Sequence, residues 1–348
     1  MRIYQMRTSL FYPLYLFTLH ETAKKPTIEL IRLLVEYNKS TARPTNMKAA
    51  LEEPRVIIML KWYLACPYRF HDIVDILHDK TSSEEIKGVC TSLLDAFIRH
   101  LSTPSTSTES TVLHHPEIID HIRRIKEGSK PAAITDSDIR DLVKNYGTHD
   151  ALVPDATYGP LCLWKAGQVT NMTLIFSTLQ WKDEWDVRLW DTRGVTHMPY
   201  TFESCRGLLT GVEHWNVIAV EDMGFMFFGA AGFDRDIRRW DTSKVTNMSY
   251  MFNKALAFNQ PIGKWDTRNV TNMRFMFREA AAFNQPIGKW DTRSVTDMTL
   301  VFCGALAFNQ DIHSWTMRHD AKTDHMFHQA TAMQEENKPE GTRAIDLP

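Results

Sequence analysis

Along the second half of the chain, apolar and polar positions recur with a fixed period. Trp190, Trp215, Trp240, Trp265, Trp290 and Trp315 stand 25 residues apart, and Trp164 precedes the first of them by 26. Within each period Met248, Met251, Phe252 and Ala255 fall at i, i+3, i+4 and i+7. The set returns as Met223/Met226/Phe227/Ala230, Met273/Met276/Phe277/Ala280 and Met298/Val301/Phe302/Ala305. That spacing predicts one apolar stripe on a short helix. Thr246-Asn247 and Thr296-Asp297 suit its start, where a side-chain oxygen accepts an orphan backbone N–H. So short a helix is unstable alone, and neighbouring copies must bury its stripe.

After the stripe, Pro261 ends helical character, and Ile262 and Trp265 fit a brief strand and its exit. The expected array therefore has one short parallel strand and one short helix per repeat, with Phe258 and Trp265 in a shared core. Asn259, Asn284 and Asn309 are expected to form a ladder that satisfies turn backbone groups, and Asp241, Asp266 and Asp291 to act likewise. Self-similarity at this period signals stacked supersecondary units.

The pattern W-D-T-S-x-V-T-N-M-x-x-M-F-x-x-A-x-x-F-N-Q, spelled out from Trp240 to Gln260, resembles the BspA-type leucine-rich repeat family, DUF285, over residues 158–333. The lead-in at 134–147 and Tyr158-Gly159 resemble the segment that opens such arrays. The resemblance implies a leucine-rich-repeat-like solenoid used for binding or surface display, and bacterial members are commonly surface proteins. The first and last copies depart from the pattern. Pro199 falls in the helical stretch, Trp215-Asn216-Val217 lacks D-T-S, and Thr323 replaces the first stripe Met, as expected of end copies.

Before the array, residues 27–36 and 72–77 read as amphipathic helices. Residues 18–36 resemble an ankyrin repeat, and 64–78 a poorer second copy, although the proline of the T-P-L-H turn is missing. The alternative is a generic helical domain. Ser/Thr/Pro-rich residues 101–112 read as a linker. The fold class is thus α+β: an all-α domain at 1–100, the linker, a helical adaptor and N-terminal cap at 113–157, the solenoid at 158–333 and a polar tail at 334–348.

Composition adds limits. The 348 residues are 43% hydrophobic and 24% charged, with a formal net charge of −2, so no overall field favours nucleic acid or an anionic membrane. Five scattered cysteines, none in C-x-x-C spacing, read as reduced thiols and point to an intracellular compartment. The apolar run at 9–19 behind Arg2 and Arg7 has the outline of a signal peptide, but Pro13 and two tyrosines dilute it, and no A-x-A-like site follows. It is too short to span a membrane. Secretion or surface display is the alternative location.

Chemistry-bearing motifs are sparse. His114, His115 and His121, and His319, His325 and His328, are the densest histidine groups, and neither has metal-ligand spacing. There is no G-x-S-x-G, P-loop or G-x-G-x-x-G, so no cofactor, metal or catalytic residue is assigned. Stacking does align cations. Arg239, Lys264 and Lys289 precede their Trp, and Arg193, Arg268, Arg293 and Arg318 follow theirs by three. These rows are candidate docking sites for an acidic protein or a glycan, with no specific nucleic acid expected. The expected function is a non-enzymatic protein-interaction scaffold. The alternatives are a secreted or surface adhesin-like protein and, more remotely, an enzyme with its site in the N-terminal helices.

Overall fold

The computed structural model describes residues 67–102, 116–146, 161–177, 185–205 and 209–342, together with Ile31. The ankyrin-like copy at 18–36 (Ile31 apart), the turn at 64–66 and the linker beyond Ser102 lie outside the described residues. The chain forms two compact units, Met1–Ala132 with Pro154–Trp164, and Ala133–Val153 with Lys165–Pro348. That division falls inside the segment read as one adaptor and leaves Trp164 in the first unit.

In the first unit, helices α1 (Pro67–His78), α2 (Glu84–Ser102) and α3 (Pro116–Lys126) pack in sequence order. Their buried faces follow helical spacing: Phe70, Ile73 and Val74; Val89, Cys90, Leu93 and Leu94; Ile118, Ile122 and Ile125. Each large aliphatic or aromatic side chain so buried contributes about 1.5–3 kcal/mol. Asp79 ends α1 by accepting the Thr81 N–H at 2.9 Å. The Ser83 hydroxyl accepts the Ile86 N–H to start α2, and Lys126 pairs with Asp95 across α2 and α3.

The second unit opens with α4 (Ile139–Tyr146), which buries Ile139 and Val143. Its approach lies on the first copy: Ala133 bridges Lys165 in parallel, and the Asp136 carboxylate accepts the N–H groups of Thr170 and Asn171 at 2.7 and 3.0 Å. Burial raises the Asp136 pKa, but these donors and the Thr170 hydroxyl outweigh it and hold the carboxyl below its usual value.

From there, copy stacks on copy. Parallel bridges run Asn171, His197, Asp222, Asn247, Asn272, Asp297, Lys322, and a short pair joins β1 (Trp185–Asp186) to β2 (Leu209–Thr210). Phe202, Phe227, Phe252, Phe277, Phe302 and Phe327 form a buried column with centroids 5.3 to 5.7 Å apart. Trp240, Trp265, Trp290 and Trp315 form another at 6.3 to 6.5 Å. Each indole N–H donates to a carbonyl of the preceding copy, as Trp265 does to Ile237 at 3.1 Å.

The helix expected in each copy is absent from the described array. Its place is taken by hydrogen-bonded turns; the strand expected at Ile262–Trp265 is absent too, and single parallel bridges fall instead at Asn247 and its equivalents, where the helix was expected to start. The stripe itself is buried, with Met248, Met251, Phe252 and Ala255 all at 0% exposure. What breaks the helix is an alternation of hydrogen bonds. The N–H groups of Met248, Tyr250, Phe252 and Lys254 donate to Asn272, Arg274, Met276 and Arg278 in the next copy, while Met251, Asn253 and Ala255 donate three residues back. Tyr250 and Lys254 take left-handed backbone, φ 58° and 60°, which no α-helix tolerates. Pro199 fits because the equivalent N–H, that of Ser249, bonds only to Asn247 Oδ1 and never enters the ladder.

The asparagine ladder is present. Asn284 Oδ1 accepts the Asn309 N–H at 3.0 Å and the Gln310 amide at 2.8 Å, and Asn259 does the same for Asn284 and Gln285. Asn284→Ala leaves two half-buried donors without an acceptor, and a loss of about 2 kcal/mol is expected in urea unfolding. A loss under about 0.5 kcal/mol would mean that water replaces the ladder.

Candidate functional site

The two predicted basic rows are both exposed but differ electrically. In the row after Trp, each arginine is engaged by a carboxylate two residues away. Arg193 and Arg293 make two bonds each to Asp191 and Asp291, Arg268 bonds Asp266 at 2.9 Å, and Arg318 bonds Asp320. Asp191, Asp266 and Asp291 also accept the N–H of their arginine, the turn-capping role expected of them. The Arg293 side chain and N–H pull Asp291 down to about 2. This row is therefore a zwitterionic stripe. In the row before Trp, Arg239, Lys264 and Lys289 are exposed and stand in no ion pair among the described residues. The tryptophans that follow them stand 6.4 and 6.5 Å apart, so these cations form a closely spaced line.

Sequence reasoning missed a third row. Tyr200, Phe225, Tyr250 and Phe275, ten residues after each Trp, stack with centroids 4.4, 4.2 and 4.5 Å apart and planes within 12°. They are half-buried, and their exposed sides form a strip. Phe228 joins it, 5.8 Å from Phe225, and the row runs out to Leu174, 43% exposed, at one end and half-buried Leu300 at the other. The Arg274 guanidinium lies 4.8 Å over Phe275, with that of Arg278 at 5.8 Å. All six residues of the row from Leu174 to Leu300 have φ between 56° and 63°, where a side chain costs on the order of 1 kcal/mol. The signal was present in the sequence: large apolar residues at one repeat position lying outside the buried stripe.

Titratable groups elsewhere serve the framework. Asp186 is buried and its pKa is raised by burial against the pull of Arg188, whose Nε lies 2.7 Å away. Burial lowers the His214 pKa against the pull of Glu213 beside it. His319, His325 and His328 lie at the last copy, and no group of three or more His, Cys, Asp or Glu among the described residues is arranged to hold a metal ion. No helix among the described residues is long and apolar enough to cross a membrane.

No curated protein and no solved structure matches the chain significantly. The family described as "Mycoplasma protein of unknown function, DUF285" matches residues 153–240 and again 226–339, more than half of the 348 residues. The stacked 25-residue copies lie within that span, and the chain belongs to the DUF285 family.

Proposed function

We propose that the array is a leucine-rich-repeat-like solenoid acting as a non-enzymatic docking surface for a protein partner, with the aromatic row as its contact strip. The observation that carries this reading is the row's exposure. Four stacked rings are kept half-exposed outside the buried stripe, at left-handed positions where the backbone itself favours Gly or Asn. Phe225, Tyr250 and Phe275 flanked by Arg274 also match the Tyr-, Phe- and Arg-rich composition of interface cores. The proposed location is intracellular, and display at the cell surface is the alternative that the family resemblance supports.

The test is Tyr250→Asn/Phe275→Asn, since Asn accepts the same backbone. The double variant is expected to unfold within about 2 kcal/mol of the native chain, because stacked pairs contribute about 0.5–1.5 kcal/mol each and strain is relieved. In quantitative affinity purification from the source cells, protein partners should fall at least tenfold. Retention of every partner would sink the proposal. A second reading rests on the unpaired line of Arg239, Lys264 and Lys289, which suits an acidic protein or glycan. It is favoured instead if Lys264→Glu/Lys289→Glu abolishes capture and the aromatic variant does not.

A further inference from the structure

Sixteen residues after their Trp, successive copies carry Ala231, Leu256, Ala281 and Leu306. Leu256 and Leu306 are 49% and 52% exposed, an uncommon state for leucine in a stack whose other large apolar rows are buried or half-buried. The next position holds Gly232, Ala257, Ala282 and Ala307, so both positions are apolar and open to solvent in every one of these copies. Backbone bonds keep them in register. The N–H groups of Ala257, Ala282 and Ala307 donate to the carbonyls of Ala231, Leu256 and Ala281 at 3.0, 3.2 and 3.2 Å. The phenylalanines that follow, Phe233, Phe258, Phe283 and Phe308, step along the stack by 5.9, 5.9 and 5.8 Å. The exposed residues therefore form a ridge along the array, with leucine at every second copy.

A second row runs beside it, two residues earlier in each copy: Gly229, Lys254, Glu279 and Gly304. All four have left-handed backbone, φ 68°, 60°, 57° and 68°, and each N–H donates to the next copy, so this row is aligned as well. Lys254 and Glu279 are partly exposed and lie 3.9 Å apart, and Arg278 pairs with Glu279 at 2.7 Å. Both rows are their own complement when read backward. Reversed, Ala-Leu-Ala-Leu sets a leucine over every alanine, and Gly-Lys-Glu-Gly sets Lys over Glu and Gly over Gly.

We propose that this ridge pairs with the same ridge of a second copy of the chain, about a two-fold axis that crosses the array between Leu256 and Ala281. The two arrays then run antiparallel, and one isologous contact satisfies both rows. Leu256 sits on the partner's Ala281, Leu306 on the partner's Ala231, and Lys254 faces the partner's Glu279. Other registers fail. A slip of one copy sets Lys254 against Lys254 or Glu279 against Glu279, and parallel arrays set leucine on leucine with alanine facing alanine across a gap. Like charges placed opposite one another select against the wrong register, and the Lys–Glu pairs select for the right one. A face four copies long buries less than the roughly 1,200 Å² at which stable interfaces begin, so the pairing is weak and reversible. The aromatic row lies six residues earlier in each copy and takes no part in it.

The experiment is sedimentation equilibrium of the full chain in reducing buffer from about 1 to 500 µM, a range that brackets the Kd of about 10–100 µM expected for so small a face. Lys254→Glu and Glu279→Lys each place like charges across the axis, and each alone should weaken association at least about tenfold. Mixed in equal amounts, the two variants restore both Lys–Glu contacts, and the mixture should associate within about threefold of the native Kd. Leu256→Asp/Leu306→Asp changes only exposed side chains, so it keeps the fold and should leave the chain monomeric throughout the range. The proposal is overturned if the native chain is monomeric at the highest concentration, if association survives loss of both leucines, or if the mixture associates no more tightly than either variant alone.

Discussion

Trp265→Ala is expected to lower the unfolding free energy by about 4 kcal/mol, measured in urea. The indole is buried between Trp240 and Trp290, 6.4 and 6.5 Å away, and its N–H satisfies the Ile237 carbonyl. Removing it opens a cavity whose walls belong to three copies. None can collapse inward without breaking its own ladder bonds, so the full cavity term applies. It also orphans a buried carbonyl. Trp315, in the last copy, stacks on Trp290 at 6.3 Å and has no tryptophan beyond it. Stability in a stack is a sum over copies and nearest-neighbour contacts, so Trp315→Ala should cost about half as much. Trp265→Ala should also broaden the transition, because it weakens the coupling between the two sides of the array. Equal losses at Trp265 and Trp315 would show that the copies do not couple through this column.

Much of the packing was legible because the period names the core directly. A side chain that recurs every 25 residues in a stack meets itself, so Phe252 was bound to touch Phe227 and Phe277 whatever the backbone did between them. Asn284 was readable for the same reason, since a turn acceptor repeated along a stack finds the next copy's donor. Local conformation was not legible. A spacing of i, i+3, i+4, i+7 buries one side of a helix, but it equally buries one side of a chain of turns whose alternate N–H groups leave for the next copy. The telling residues were Gly229 and Gly304, at φ 68°, which occupy in their copies the place of Lys254 and Glu279. A glycine there is costly in a helix and favourable in a left-handed turn. The charge rows show a different limit. Arg268 and Arg293 looked free when counted singly, yet the D-T-R order puts a carboxylate within reach of each, at Asp266 and Asp291.

Gly263→Ala is expected to cost about 3 kcal/mol, the upper part of the range for overpacking. A Cβ on Gly263 would lie 2.1 Å from the Pro286 carbonyl oxygen of the next copy, and one on Gly288 would lie 2.4 Å from that of Asp311. Backbone meets backbone there, so no side chain can swing aside. The copies must separate, which loosens Ile262, buried at 0%, and the Trp265–Trp290 stack. Flanking copies carry Arg238 and His313 at this position, each with its N–H bonded to an aspartate two residues earlier, Asp236 or Asp311. In the glycine copies those places hold Pro261 and Pro286, so the two residues go together: aspartate with a side chain, proline with none. Pro261→Asp/Gly263→Arg should therefore recover at least half of the stability that Gly263→Arg loses alone. Gly232→Ala is the control, because its Cβ meets nothing within 4 Å, and it should leave the urea midpoint unchanged. If Gly263→Ala unfolds at the native midpoint as well, the close approach of the two copies is not a constraint on the array, and proline with glycine is one turn among several that fit.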